Sequence, residues 1–188
     1  MARLTRSALC LALVFALAAP VSAGTIEDVE IAESVEVADT SLSLAGLALL
    51  RYRVIFKGYV AGLYLPTGTD PQSALQDVPK RLELEYFWSI GGRDIADAGV
   101  EMLRRNVDSR TFASLRDRVE QINALYEDVV PGDRYALSYV PGVGTELAKN
   151  GRPLGVIPGA DFAEAYFAIW LGDEPIDVPF RDQLFRGR

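Results

Sequence analysis

Arg51, Arg53 and Lys57 stand in the most strand-like run of the chain, Arg51 to Leu65, whose other members include Val54, Ile55, Phe56, Val60, Leu63 and Leu65. A cation within an apolar strand either lies at a solvated edge or faces an anion, and the second arrangement is one that binding chemistry can use. Tyr59 and Tyr64 in the same run add hydroxyl donors. Taken as one strand, the run places Arg51, Arg53, Lys57 and Tyr59 on one face and Gly58, Gly62 and Tyr64 on the other. The two glycines leave room for a helix or a ligand against the sheet, or mark a bulge, and close packing is the commoner reason for such a pair.

The remaining inventory excludes more chemistry than it offers. The chain has no histidine and one cysteine, Cys10. Ser-His-Asp and Cys-His catalytic systems and histidine- or cysteine-ligated zinc are therefore ruled out once Cys10 is removed with the leader described below. No calcium-type acidic loop occurs, so neither metal nor cofactor is expected. Glu83 and Glu85 form an acidic pair on one strand face, which reads as a solvated surface rather than as paired catalytic carboxylates. Gly142-x-Gly144 lacks both the full glycine spacing and the following helix of a phosphate loop, and hairpin geometry explains it.

Arg3 and Arg6 precede an uncharged run from Ser7 to Ala19, and Val21-Ser-Ala23 offers a small-residue cleavage site. Residues 1–23 thus read as a secretory signal peptide and 24–188 as a single mature domain, periplasmic or secreted. The apolar core is too short for a membrane anchor, so no integral membrane segment is expected after cleavage. The formal net charge of −7 becomes more negative when Arg3 and Arg6 are lost. That balance argues against nucleic acid as a partner.

Several elements could position these residues. Residues 24–50 alternate loosely and predict one or two strands leading into the central one. Asp70-Pro71 opens a short helix with an aspartate cap. Leu82, Leu84, Tyr86 and Trp88 alternate against Arg81, Glu83, Glu85 and Phe87, the pattern of a half-buried strand. Two amphipathic helices follow Gly91-Gly92, one striped by Ile95, Val100, Leu103 and Val107 and the other by Phe112, Leu115, Val119 and Ile122. Strands return at Tyr135–Val140, at Thr145–Lys149 and near Leu154–Ile157. Asp161 is expected to cap a helix ending at Gly172, and a last short helix is expected near Pro179–Phe185. The order predicts an α+β domain with a mostly antiparallel sheet covered by helices on one face.

Gly46, Arg51, Lys57-x-Tyr59-Val-Ala-Gly-Leu-Tyr-Leu65, Pro79-Lys-Arg-Leu82, Gly132-Asp-x-Tyr135, Pro141-Gly-x-Gly144-Thr145 and Asp161-Phe-Ala…Ile169-Trp-Leu-Gly172 occur in an order that resembles the bacterial chalcone-isomerase-like proteins. The resemblance spans nearly all of the chain after about residue 40. It implies the chalcone isomerase fold, an open-faced β-sandwich with a ligand cleft between a large sheet and a layer of helices. That fold also serves plant enzymes that cyclise chalcones and non-catalytic plastid proteins that bind fatty acids. The family's anion-holding arginine falls on Arg51, and the tyrosine that the fatty-acid binders use beside it falls on Tyr64. These two are an odd number of residues apart, so sharing a cleft requires a break in the strand between them. Tyr59 stands where the plant isomerases carry a catalytic threonine, and Ile169 where they carry a hydroxyl residue that contacts substrate.

The resemblance and its departures together imply a non-catalytic binder of a fatty acid or similar amphipathic carboxylate, with Arg51, Tyr64 and Tyr59 as ligand-binding residues. Two alternatives stand beside it. One is an isomerase- or lyase-like enzyme that stabilises an oxyanion with arginine and tyrosine. The other is a structural or interaction module whose cleft is filled by its own side chains, with Arg51 balancing a carboxylate such as Glu83 or Glu85.

Overall fold

The computed structural model describes residues 22–52 and 56–186. The signal-peptide run falls almost entirely outside the described residues, as do Arg53, Val54 and Ile55. A hairpin of β1 (Ser22–Ile26) and β2 (Val29–Ala32) opens the described chain, turning on Glu27 and Asp28. Both of those residues have positive φ, 55° and 66°. Positive φ at both central positions is what a tight hairpin turn requires.

A seven-stranded sheet follows in simple sequence order: β3 (Ser34–Val37), β4 (Thr40–Tyr52), β5 (Phe56–Leu65), β6 (Lys80–Tyr86), β7 (Arg134–Val140), β8 (Gly144–Lys149) and β9 (Arg152–Ile157). Every neighbouring pair is antiparallel. Between β6 and β7 the chain forms α1 (Gly92–Asn106) and α2 (Ser109–Asn123), and after β9 it forms α3 (Ala160–Leu171) and α4 (Val178–Phe185). The expected short helix after Asp70 is a single 3₁₀ turn, Pro71–Ser73, with the Asp70 carboxylate accepting from the Gln72 N–H.

The run Arg51–Leu65 is not one strand. Tyr52 pairs with Phe56 and Arg51 with Lys57, so the chain reverses direction between β4 and β5. Apolar alternation has the same period on both arms of a hairpin, and no Asn-Gly or Asp-Gly marks the reversal. The helix expected to begin at Asp161 is instead capped at Gly159, and Asp161 sits in its first turn, where it takes a two-pronged ion pair from Arg118 at 2.7 Å.

Each face of the sheet buries a different layer. On one face Tyr59, Ala61, Leu63, Leu82, Leu84, Tyr86, Tyr135, Leu137 and Leu147 meet the helices in the main core. On the other, Val60, Tyr64, Leu42 and Leu44 pack against Val29 and Ile31 of the hairpin. Gly62 makes room there, since a Cβ would stand 3.1 Å from Ile31 Cγ2. Glu83 and Glu85 point to this second face and are not a solvated pair. Arg81 and Arg134 bind Glu83, Arg134 also binds Glu85, and Arg134 donates to the Glu30 carbonyl of the hairpin.

Candidate functional site

A cavity of about 350 Å³ lies between the inner face of the sheet and helices α1 and α3. Strand alternation delivers Tyr59 from β5, Leu82, Leu84 and Tyr86 from β6, Tyr135 and Leu137 from β7 and Leu147 from β8 to the same face. Helical spacing delivers Asp94, Ile95, Ala98, Gly99 and Met102 from α1, and Tyr166, Ile169 and Trp170 from α3. Asp94 and Ala98 are the exposed members of this lining, so the cavity opens along α1. Tyr135, Leu137, Leu147, Tyr166 and Ile169 close its floor.

Its polarity comes almost wholly from phenols. Trp170 Nε1 donates to the Tyr59 hydroxyl at 2.9 Å, and the Tyr126 and Tyr166 hydroxyls share a bond of 2.9 Å. Tyr135 is saturated by Glu127, donating to its carbonyl at 2.8 Å and accepting from its N–H at 2.7 Å. The rings stand edge to face, Tyr59 on Tyr86 with centroids 5.4 Å apart and Tyr126 on Tyr135 at 5.2 Å. Burial raises the pKa of Tyr59, Tyr86, Tyr126 and Tyr166, and the neighbouring phenols oppose ionisation of Tyr86 further. At neutral pH all four are un-ionised hydrogen-bond donors, not bases or nucleophiles.

The residues singled out from the sequence are distributed over different places. Tyr59 lines the cavity, and so does Ile169. Arg51 does not; its guanidinium donates to Glu27 at 3.1 Å, and Lys57 binds the other oxygen of the same carboxylate at 2.5 Å. These two cations hold the Glu27 pKa below its ordinary value, with the Lys57 hydrogen bond the larger cause. Arg51 therefore pairs with neither Glu83 nor Glu85. Tyr64 lies fully buried on the opposite face of the sheet, where its hydroxyl donates to the Ala32 carbonyl at 3.2 Å. The strand break needed to bring Arg51 and Tyr64 together exists, yet they do not meet, because the hairpin of β1 and β2 covers Tyr64 and claims Arg51.

Tyr86, Tyr126, Tyr166 and Trp170 were legible only as apolar-face positions. Their one sequence signal is that four of the large residues on those faces carry a hydrogen-bonding group. A continuous core would more cheaply use phenylalanine and leucine there.

A family model described as chalcone isomerase-like matches residues 23–185. The chain belongs to the chalcone isomerase-like family. No curated protein matches it at the sequence level. Among solved structures, a fatty-acid binding protein of Arabidopsis thaliana superposes with a TM-score of 0.68 at 13% identity, covering 84% of this chain and 92% of that one. At that identity the likeness establishes the shared fold, an open sheet curled beneath a layer of helices. Within this chalcone isomerase-like fold, no helix among the described residues is long and apolar enough to cross a membrane.

Proposed function

We propose that this chalcone isomerase-like protein is an exported, non-catalytic binder of a small amphiphile of the fatty-acid class, held in the cavity between the sheet and helices α1 and α3. The cavity itself carries the reading: about 350 Å³ bounded by leucine, isoleucine and aromatic side chains, with hydroxyls at a few places. Apolar lining with sparse convergent polar groups is the usual make-up of a small-molecule site. An acyl chain gains roughly 0.8 kcal/mol per methylene buried in such surroundings. The fatty-acid binding protein that shares the fold supports the ligand class.

Catalysis finds less support. The resemblance sets Tyr59 where the plant isomerases carry a catalytic threonine and Ile169 where they carry a hydroxyl residue that contacts substrate, so both hydrogen-bonding roles are changed. The phenols remain able to hydrogen-bond a carbonyl oxygen, so chalcone turnover is worth excluding directly.

Organic extraction of protein purified from the cell envelope, followed by mass spectrometry, is expected to release acyl compounds in near-stoichiometric amount. The same preparation is expected to begin within a residue or two of Gly24. Empty protein that cyclises a chalcone in proportion to its own concentration would favour the enzyme.

A further inference from the structure

We infer that the cavity holds its ligand's head group uncharged, as a hydrogen-bond acceptor such as an amide, ester, ketone or un-ionised acid, with the Tyr86 hydroxyl as its principal donor. The inference rests on the binding role proposed above and concerns the head group alone.

The first observation is an unspent donor. Tyr86 is 5% exposed and lines the cavity, and its hydroxyl, which keeps accessible surface there and is not a sealed polar atom, has no hydrogen-bond partner among the described residues. Buried phenols ordinarily find one. The bonds of the surrounding hydroxyls run elsewhere: Tyr59 accepts from Trp170, Tyr126 and Tyr166 bond each other, and Tyr135 is taken by Glu127. They do leave protons to offer. Tyr59 accepts through its oxygen and keeps its own proton, and whichever of Tyr126 and Tyr166 accepts in their shared bond keeps one as well. The polar part of the cavity is thus a set of O–H donors that calls for an acceptor.

The second observation is the sign of the charge around it. Among the described residues Asp94 is the one charged member of the lining, and no lysine or arginine belongs to it. The one helix N-terminus at the cavity, that of α1, is already served by anions: the Asp128 carboxylate accepts from the Gly92 N–H at 2.9 Å, and Asp94 stands in the first turn. A carboxylate entering here would lose its hydration, gain no cation from the described residues and face Asp94. Phenolic donors alone suit a neutral carbonyl, and an acid would enter as its protonated form.

Calorimetric titration of the delipidated mature protein with decanamide and with decanoate, which share a tail length, tests this. Decanamide is expected to bind with an affinity that is flat between pH 6 and pH 8. Decanoate is expected to bind more weakly at pH 8 and to strengthen about tenfold for each unit of acidification, following its un-ionised fraction. Asp94 and the five cavity tyrosines are the titratable groups facing the head, so the decanoate series is repeated with Asp94→Asn; retention of the slope assigns it to the ligand. Tyr86→Phe is expected to weaken decanamide about three- to tenfold with an unchanged melting curve. Decanoate matching decanamide at pH 8, a slope abolished by Asp94→Asn, or full affinity in Tyr86→Phe would each overturn the inference while leaving a binding protein. Binding of neither compound would remove the binding role itself.

Discussion

Tyr59 and Tyr86 occupy neighbouring strands and line one cavity, yet their hydroxyls have different standing. The Tyr59 oxygen is the acceptor for the buried Trp170 indole, whereas the Tyr86 oxygen accepts from no group among the described residues. Tyr59→Phe should therefore leave an indole N–H without its partner and cost about 1 kcal/mol. That corresponds to a fall of about 2–4 °C in Tm for a domain of this size, while Tyr86→Phe should melt with the parent protein. Equal losses in calorimetric melts of the two variants would remove the distinction on which the ligand-facing role of Tyr86 depends.

Lys80 is a second residue whose environment has a measurable consequence. It is 1% exposed, with Nζ donating to the Gln76 carbonyl at 2.7 Å and lying 4.7 Å from the Tyr139 ring centroid and 5.4 Å from that of Phe167. Desolvation nevertheless dominates and lowers its pKa from 10.5 to about 8, against the opposing pull of Asp77 and Glu164. Below about pH 8 both folded and unfolded chains carry the proton, and the fold bears the full cost of the buried charge. Between about pH 8 and 10 the unfolded chain binds more protons, so stability contributed by this group rises with pH. The cavity tyrosines act oppositely, but only as pH passes their unfolded pKa near 10, because their folded values are raised. Lys80→Met should melt higher than the parent at pH 7 and lack its gain between pH 8 and 10. A variant that melts lower and keeps the gain would show that Lys80 is stabilising as a cation.

Among the elements, those with strong periodicity were legible in the sequence. Leu82, Leu84 and Tyr86 alternate onto the core face, and Phe112, Leu115, Val119 and Ile122 stripe α2 as expected. The hairpin of β4 and β5 was not, because its two arms are apolar with the same period and the reversal lacks turn residues. The covering hairpin of β1 and β2 was also hidden, since its strands are short and its turn uses Glu27 and Asp28 in place of glycine. Read as a single strand, the run sets Arg51 and Tyr64 on opposite faces, and only the family resemblance set them side by side; in the fold Arg51 is drawn to Glu27 and Tyr64 is buried behind the sheet. Tyr59, singled out through the family resemblance, does line the cavity. The phenols that accompany it come from β6, β7, α3 and the segment after α2, a convergence that only the fold creates.

Gly46 shows how the elements are held together. Helix α4 crosses β4 so closely that a Cβ at Gly46 would lie within van der Waals overlap of the Leu184 carbonyl, and β4 changes register between Leu44 and Gly46. The Gln183 side chain accepts from the Leu49 N–H nearby, fixing the helix along the strand. Gly46→Ala should force α4 away and cost about 3 kcal/mol, at the upper end for overpacking. Hydrogen exchange should then accelerate in residues 178–185 before the rest of the sheet. Unchanged protection in that segment would mean the strand can shift to accept the methyl group.

The molecule as a whole is a curled antiparallel sheet with unlike covers. On one face a small hairpin covers an apolar layer around Tyr64 and an ion-paired band of Arg81, Glu83, Arg134 and Glu85. On the other, helices stand off far enough to leave a space walled by leucine, isoleucine and un-ionised phenols. Close packing is the norm in protein interiors, so a cavity of about 350 Å³ maintained among large aromatic side chains is a feature that a purely structural domain would be expected to lose. Its mouth lies along α1, where Ala98 is exposed to solvent and also borders the space within. A larger side chain there can obstruct entry without disturbing the floor. Native mass spectrometry of the protein beside Ala98→Trp, each delipidated and then incubated with decanamide, puts the cavity itself to the test. The parent should gain the mass of one ligand, and Ala98→Trp should remain unliganded with an unchanged melting curve. Equal loading of the two would place the ligand elsewhere on the molecule and contradict the cavity as the binding site.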